Sequence, residues 1–400
     1  MQRRRRWIGG ARAREVSSIA MAAPPCNLRL IGGARDTARK QWDALARRGT
    51  HRHAWFVAAE ACGAEPRHVG VFRSGKLVAV IPAYIERESL YGDLHARWYG
   101  PAHRLAEALG AGLRPSLAIV APMSTSSDPL GSDEVLTASV IEEALELLET
   151  EARAERAKAI VWPFVDAKAT VIREAARLRG YRESFATSEA VIDVAWSSPE
   201  EYISSRSKNV QRTLRNELAW VHDQGVRISW ETDLRQHAGT FDALYRGSYV
   251  ARSGRVTNLA PNFFAELAKQ RSAGVRVQCA WKGQTLLEMA VALDGGDALD
   301  LCMSAQSGET GRGLLYQHCL CYDPIRVAIE DRLPRIHLGP GALHAKLLRG
   351  ARLNTRMTLV RGLTPTARAA VRVLAPLTNA RNAARHRRLL SRINDASYTE

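Results

Sequence analysis

Residues 275–305, VRVQCAWKGQTLLEMAVALDGGDALDLCMSA, predict three consecutive β-strands and decide the fold class. Apolar and β-branched residues fill each run, and turn signals separate the runs at Lys282-Gly283 and at Gly295-Gly296-Asp297. Short connections of this kind join antiparallel neighbours. The sequence therefore predicts a strand meander in the C-terminal half of the chain.

Helical patterns flank this meander. Residues 198–225 predict a helix that begins with Ser-Pro-Glu-Glu and ends at Gly225, and residues 226–232 alternate as a strand. Residues 314–331 predict a second helix, which Pro324 should bend or interrupt. The half is completed by a short strand ending at His337 and Leu338, a short basic helix over Ala342–Arg349 and a last strand over residues 355–362.

A similar order of elements fills the N-terminal half. Residues 67–87 predict two strands around the turn Ser74-Gly75. They are followed by an amphipathic helix over residues 133–156 with Ser132 as its N-cap, a buried strand over 159–165, a helix over 170–181 closed by Gly180, and a strand over 190–196.

Two rounds of this order predict an α/β (α+β) chain with two tandem domains, each with a mixed central sheet flanked by helices. We place the domains at residues 26–195 and 196–365. Residues 1–25 are predicted to be a disordered basic extension. Residues 366–400 are predicted to be a basic, peripheral C-terminal tail that Pro376 breaks.

The net charge of +16 is concentrated at the two ends of the chain. Residues 1–20 and residues 366–400 each carry +5, which leaves +6 for everything between them. Charge alone is therefore a weak argument for nucleic-acid binding. No run approaches the ~20 uncharged apolar residues of a membrane span, and the spacing of the six cysteines matches no zinc site. We predict a reduced, cytoplasmic protein without a metal or a membrane span.

Two glycine-bearing segments are candidate anion sites. Gly311, Arg312 and Gly313 directly precede the helix predicted near Leu314, where backbone N–H groups can hold a phosphate. Gly339 and Gly341 precede the basic helix that carries Lys346, a residue able to meet a phosphate as a point charge. The alternatives are a plain flexible loop at the first segment and a solvated helix face at the second.

Four stretches of the C-terminal half resemble one family. They are SPEEYISSRSKNVQRTLRNELAWVHDQGVRI, GQTLLEMAVALDGGDALDLCMSAQ, GLLYQHCLCYDPIRVAIEDRLPRIHLGPG and AKLLRGARL. Together they are similar to the GNAT acyltransferase superfamily, and more narrowly to the double-domain FemAB-type and peptidoglycan-biosynthesis-like N-acyltransferases. Residues 28–195 resemble the family in topology alone. The resemblance implies two GNAT-like domains and transfer of an acyl group from a thioester or aminoacyl ester to an amine.

The sequence departs from the superfamily at one position of its pyrophosphate-binding motif, Gln/Arg-x-x-Gly-x-Gly/Ala. The matching loop runs from Gly308 to Gly313, and its first position is glycine instead of glutamine or arginine. This departure weakens the case for acetyl-CoA as an ordinary donor.

Amide formation requires a deprotonated amine and proton transfer to a leaving group. Glu288 is a candidate base because its strand is apolar and burial raises the pKa of a carboxyl. Tyr316 is a candidate proton donor, and Lys346 completes the predicted catalytic set. The alternatives are an outward-facing strand carboxylate, a core tyrosine and a solvated lysine.

Three further residues are predicted to bind substrate. Asp300 lies in an apolar strand like that of Glu288. Arg212 and Arg215 share one face of a helix that is basic at its start, against the helix dipole, which suggests a partner. The alternative for both arginines is a solvated helix face.

We predict a bacterial N-acyltransferase that uses acyl-CoA or acetyl-CoA and acts on a small-molecule or peptide amine by direct attack. An aminoacyl-tRNA donor, with tRNA as partner, is the alternative within the family. A non-catalytic GNAT-like binding module is the third possibility. A Ser/His/Asp hydrolase is disfavoured because the chain lacks Gly-x-Ser-x-Gly.

Overall fold

Two β-sheets organise the chain in a computed structural model that describes residues 25–87, 110–254, 257, 259–270, 274–308 and 314–398, with side chains as far as Ser391. A four-stranded sheet has the order β1-β3-β4-β7, and an eleven-stranded sheet has the order β10-β11-β12-β13-β14-β9-β15-β8-β6-β5-β2. The strands are β1 (Asn27–Ile31), β2 (Glu65–Pro66), β3 (His68–Arg73), β4 (Lys76–Ile81), β5 (Ala83–Glu86), β6 (Ser116–Ile119), β7 (Leu130–Gly131), β8 (Ala159–Asp166), β9 (Arg182–Asp193), β10 (Arg227–Glu231), β11 (Val275–Lys282), β12 (Thr285–Asp294), β13 (Ala298–Gln306), β14 (Arg335–Gly339) and β15 (Arg352–Gly362).

Helices cover both faces of the large sheet. They are α1 (Arg39–Asp43), α2 (His53–Ala61), α3 (Ala138–Ala154), α4 (Thr170–Leu178), α5 (Pro199–Ser204), α6 (Lys208–Asp223), α7 (Ala238–Ser253), α8 (Phe263–Lys269), α9 (Leu314–Gln317), a π-helical turn (His318–Tyr322), α10 (Asp323–Glu330), α11 (Leu343–Leu348) and α12 (Pro365–Tyr398). No helix within the described ranges is long and apolar enough to cross a membrane.

The predicted mixed α/β architecture is confirmed, and the two halves of the chain share one sheet. Strand β9, from the N-terminal half, lies between β14 and β15 of the C-terminal half. Strand β15, from the C-terminal half, also pairs with β8 of the N-terminal half, so that Gly362 faces Ala159. Strands from both halves therefore alternate at the middle of the sheet. The boundary at residue 196 stays a prediction.

Among the described strands of the large sheet, two pairs of neighbours are parallel, and both pairs separate along their length. The first fork is formed by β6 and β8, which pair from Ser116 and Ala159 to Ala118 and Val161. The second fork is formed by β13 and β14, whose last paired residues are Asp300 and His337. Parallel neighbours need a crossover connection, which α3 supplies in the first unit and α9 to α10 supply in the second.

The predicted meander is present as β11, β12 and β13, with both turns at the predicted positions. Its alternating residues serve two cores. Val277, Met289 and Val291 pack with helices α7 and α8 on one face. Ala280 and Ala290 pack with α6 and with the helices α9 to α10 on the other face.

Local departures from the predicted helices have backbone causes. Residues 198–225 form two helices, and the hydroxyl of Ser205 binds the carbonyl of Tyr202 at 2.6 Å, which competes with helix continuation. The helix predicted from residue 133 begins at Ala138 after Thr137, so Ser132 is not its N-cap. The expected disturbance at Pro324 appears as the π-helical turn that precedes it.

Residues 365–398 form one helix instead of a broken tail, and Pro376 lies inside it. Its apolar side chains Ala367, Val371 and Ala375 are buried against the sheet. Asn379 accepts a hydrogen bond from the backbone nitrogen of Phe185, at 2.9 Å, and Asn382 donates to the carbonyl of the same residue. Helix α12 is thus an integral part of the sheet's packing.

Candidate active site at the second fork

The second fork opens because of the backbone that follows β14. Gly339 has φ +71°, a conformation that favours glycine, and Ala342 also lies in the left-handed region before α11 begins. The chain therefore turns away from β13. Residues Cys302–Ser304 of β13 and residues Pro340–Ala345 after β14 both line a groove of about 1440 Å³.

Glu288 lies on β12, fully buried, where it faces Ala280 on one neighbouring strand and Gln306 on the other. No donor in the described part of the chain binds either carboxyl oxygen. Burial raises the pKa of Glu288 to about 9, although the positive charge of Arg252 opposes the rise. An unpaired buried carboxyl is costly for folding, which makes this position a strong candidate for function.

Tyr316, on α9, lies within electrostatic reach of Glu288. Burial raises the pKa of its phenol, and the negative charge of Glu288 contributes to the rise. The hydroxyl oxygen of Tyr316 lies 3.7 Å from where a Cβ on Gly341 would be. The structure therefore brings three predicted site residues to one end of the second fork.

Lys346 is buried beneath the turn that follows β14. Its Nζ donates to the carbonyl of Leu338 at 2.5 Å and lies 3.5 Å from the carbonyl of Gly339. Burial lowers the pKa of Lys346 to about 8. These contacts stabilise the turn that opens the fork, and a contact between Lys346 and a phosphate stays a prediction.

The remaining predicted residues lie apart from this group. Arg212 and Arg215 are exposed on the outer face of α6, with only 3.5 Å contacts to Asn209 and Gln211. Gly311, Arg312 and Gly313 lie outside the described residues. The predicted binding of a phosphate by that loop therefore stays a prediction.

Asp300 belongs to a buried ion-pair network that the sequence analysis did not identify. Its carboxylate contacts Arg48 at 2.7 Å and accepts from the backbone nitrogen of Gly49 at 2.5 Å. Arg48 also pairs with Glu189 at 2.8 Å, and Glu189 pairs with Arg356 at 2.5 Å. Both Asp300 oxygens are thus engaged by the protein, and its role in substrate binding stays a prediction.

The network joins the two halves where their strands alternate. Burial disfavours a charged Glu189, yet the positive charge of Arg48, with further contacts, holds its pKa well below the usual range. Breaking such a buried pair costs about 3–5 kcal/mol. Arg48 and Asp300 are 252 residues apart, so local sequence patterns could not have found the pair. The one signal for this network in the sequence was a carboxylate in an apolar strand, as at Glu189.

No cluster of three or more His, Cys, Asp or Glu side chains suited to a metal occurs within the described ranges. All six cysteines are free thiols. Burial raises the pKa of Cys319, and it raises that of Cys321 to about 11. Neither thiol therefore forms a nucleophilic thiolate readily at neutral pH.

Comparison with known proteins agrees with this architecture. The model of the family FemAB_like, described as peptidoglycan biosynthesis/recognition, matches residues 34–392. No curated protein sequence matches the chain.

Among solved structures, FemX is similar with a TM-score of 0.53 and 14% identity, covering 81% of this chain and 96% of FemX. The C-terminal domain of a putative lysylphosphatidylglycerol synthetase from Agrobacterium fabrum is similar with a TM-score of 0.50 and 12% identity, over 83% of this chain and 94% of that domain. A tandem GNAT protein from the clavulanic acid biosynthesis pathway has a TM-score of 0.49 and 11% identity, over 85% of this chain and 99% of that protein.

Proposed function

The chain belongs to the FemAB-like family, and we propose from this premise that it is a transferase that joins an acyl or aminoacyl group to an amine on a peptidoglycan-related acceptor. One observation carries the proposal. Glu288 is buried and has no hydrogen-bond partner among the described residues. It lies within electrostatic reach of Tyr316, whose hydroxyl lies 3.7 Å from the position of a Cβ on Gly341, a residue that lines the groove. The six free thiols of the chain fit a reducing compartment such as the bacterial cytoplasm.

In the proposed reaction the amine nitrogen attacks the donor carbonyl at the second fork. Glu288 holds a proton at neutral pH in the empty site, because its pKa is about 9. An ammonium group beside it favours the ionised carboxylate, so Glu288 releases its proton to solvent as the acceptor enters. The carboxylate then takes one proton from the ammonium group, which leaves the neutral amine that attacks, and the second nitrogen proton passes to solvent as the amide forms.

The new C–N bond forms as the bond from the carbonyl carbon to the leaving sulfur or oxygen breaks. Tyr316 donates its phenolic proton to the leaving atom and regains one from solvent. Its raised pKa keeps the phenol protonated for this step. Lys346 fixes the carbonyl ends of β14 and so maintains the width of the fork.

A CoA thioester is the first candidate donor. The thioester arm would lie between β13 and β14, with its pyrophosphate held by the loop that carries Gly311, Arg312 and Gly313. Gly339 and Gly341 leave space for a slender arm because they have no side chains there.

An aminoacyl-tRNA is the second candidate donor. Membership of a family described as peptidoglycan biosynthesis/recognition favours it. The glycine at position 308, where the pyrophosphate motif has glutamine or arginine, favours it as well.

The two donors are distinguished by parallel reactions with one acceptor, a peptidoglycan stem peptide with a free side-chain amine. The purified chain is incubated with acetyl-CoA in one reaction and with a set of aminoacyl-tRNAs in the other. Mass spectrometry of the peptide measures the new amide. RNase should abolish product only with the second donor. If neither donor yields an amide although the folded chain binds the peptide, the chain is a binding module and the proposal is wrong.

A further inference from the structure

Helix α12 has two apolar stripes on nearly opposite sides. The first stripe is buried against the sheet and repeats every four residues at Ala367, Val371 and Ala375. The second stripe is exposed and has similar spacing at Ala369, Val373, Leu377 and Ala380. The two stripes begin two residues apart, which is about 200° around an α-helix. The second one, named the outward stripe below, therefore points away from the sheet.

The outward stripe contains two of the most exposed large apolar side chains of the protein. Val373 and Leu377 are each 60% exposed, and among the described residues only Leu178 of α4 exceeds them, at 63%. Single apolar residues at a surface are ordinary. Val373 and Leu377, however, are four residues apart and are therefore neighbours on the helix surface. Together with the alanines of the stripe they form a continuous apolar ridge.

Cations of one sign surround this ridge. Residues 365–391 contain six arginines and no aspartate or glutamate. All six arginines are exposed: Arg368, Arg372, Arg381, Arg385, Arg387 and Arg388. Helical spacing places Arg368 and Arg372 along one side of the outward stripe and Arg381 and Arg388 along the other. The partner that suits such a face is apolar in its interior and anionic at its surface.

Helix α4 offers a comparison, because it also exposes an apolar side chain, Leu178. Its arginines are neutralised by neighbouring carboxylates. Arg177 pairs with Glu174 at 2.5 Å, and Arg173 pairs with Glu183 at 2.6 Å. Exposed apolar residues alone therefore do not distinguish α12. The distinguishing feature is an apolar ridge among arginines in a stretch of helix that has no acidic residue.

This combination favours a lipid surface over other partners. The stem of an arginine side chain is apolar, so its guanidinium can reach a lipid phosphate while the ridge beside it enters the edge of the hydrocarbon. A second copy of this chain would bring the arginines of two α12 helices against one another, which like charges oppose. An RNA would bind the arginines and leave Val373 and Leu377 without an apolar partner.

We propose that the outward stripe of α12 docks the protein on an anionic membrane surface, with the helix lying along that surface. The inference goes beyond the proposed function and does not depend on it, since docking requires no transfer of a group. Apolar burial and attraction between arginines and lipid phosphates act together in such docking.

The test is cosedimentation of the full chain with phosphatidylcholine vesicles that contain or lack phosphatidylglycerol. We expect binding only to the vesicles with phosphatidylglycerol, and added salt should weaken it. Val373→Gln/Leu377→Gln should lower the affinity at least about fivefold, because two apolar side chains no longer leave water. The matched control Val171→Gln/Leu178→Gln makes the same change at exposed positions of α4 and should stay within about twofold of the wild type.

A second pair of variants tests the charges. Arg372 and Arg387 are exposed and lie outside the described lining of the groove. Arg372→Gln/Arg387→Gln should weaken vesicle binding by roughly 10- to 30-fold, because each basic residue near an anionic surface contributes about a factor of five. The control Lys76→Gln/Lys282→Gln removes the same charge from two exposed positions elsewhere. Circular dichroism and urea unfolding should show that all four variants fold like the wild type.

Four results would overturn the inference. They are an absence of vesicle binding, equally tight binding to neutral vesicles, equal losses in the α12 variants and their controls, and a dimer in solution that Val373→Gln/Leu377→Gln dissociates. Binding of an RNA oligonucleotide in place of vesicles would also overturn it, and would assign the arginines to a nucleic acid.

The variant Glu288→Gln separates this inference from the proposed function. It should bind vesicles like the wild type even when transfer is lost. Vesicle binding by a wild type that transfers nothing would contradict the proposed function alone. Transfer by a wild type that binds no vesicles would contradict the docking alone.

Discussion

The two forks of the large sheet have the same connectivity and different contents. In the first fork, β8 continues from Val161 into Trp162, which is fully buried. The indole nitrogen of Trp162 donates to the carbonyl of Ser127 at 2.8 Å, so the ring links β8 to the segment after β6. In the second fork, β14 ends in Gly339, and Pro340 and Gly341 follow without filling the space.

Side-chain volume, more than topology, therefore decides which fork can bind a ligand. A parallel pair that separates leaves backbone groups without a partner strand, and the space must be filled by side chains or by a ligand. The first unit fills it with the ring of Trp162, and the second leaves it open to a groove that Val161 and Phe164 of β8 also line. We therefore assign stability to the first fork and chemistry to the second.

The largest expected effect is on kcat/KM, and it distinguishes the carboxyl group near the second fork from the one near the first. Glu288→Gln should lower kcat/KM by about 100- to 10,000-fold, because a general base is lost while shape is kept. The matched control is Glu86→Gln on β5, a buried glutamate beside the first fork that accepts from Ser116 at 3.2 Å. Steady-state transfer assays on folded protein should show a loss below about threefold for the control. Equal losses for both variants would remove the distinction between the forks.

Emptying the first fork should affect folding instead of transfer. Trp162→Ala should lower the free energy of unfolding by about 3–5 kcal/mol, because it leaves a large cavity in a dry core. Urea unfolding measures the change, and kcat of the folded fraction should be close to that of the wild type. A loss below about 1 kcal/mol would show that the ring does not fill that fork.

Filling the second fork should affect transfer instead of folding. Gly341 does not have a positive φ, and the Tyr316 hydroxyl is the only described atom near its would-be Cβ, so the backbone tolerates a side chain. Gly341→Trp should raise KM by about 10- to 100-fold because the indole occupies the groove. Gly341→Ala is the matched control and should be nearly wild type. An unchanged KM in the tryptophan variant would place the donor elsewhere.

The unpaired carboxyl at the second fork should also make stability depend on pH. The pKa of Glu288 is about 9 in the folded chain and near 4.5 when unfolded. The folded chain therefore holds an extra proton between these values, and its stability falls as pH rises from about 5 to 9. Glu288→Gln removes this dependence and should gain roughly 1 kcal/mol per pH unit relative to the wild type. Urea unfolding at pH 5 and pH 8 measures it, and parallel behaviour of both proteins would contradict the raised pKa.

Local patterns predicted the strands and turns around the second fork, although not the fork itself. The meander, its turns and the opening at Gly339 and Gly341 all follow from short-range turn chemistry and alternation. The burial of Glu288 followed from its apolar neighbours, and burial is what raises its pKa. The shared sheet could not be predicted, because β9 and β15 pair across more than 160 residues.

The ion-pair network and the unbroken helix α12 were not predicted, for two separate physical reasons. The network of Arg48, Glu189 and Asp300 forms only when distant strands meet, so no window of sequence contains it. Helix α12 was predicted to break because proline usually ends a helix. In the structure α12 continues through Pro376 because its apolar side chains Ala367, Val371 and Ala375 pack against the sheet.

The most direct test of the account is the pH dependence of kcat/KM with a weakly basic acceptor amine such as hydroxylamine, which stays uncharged over the range used. With the acceptor's own ionisation removed, the wild type should gain activity with rising pH and level off near pH 9, the pKa of Glu288. Glu288→Gln should give a low, flat profile over the same range. The same rising limb in both proteins would contradict the claim that Glu288 accepts the proton at the second fork.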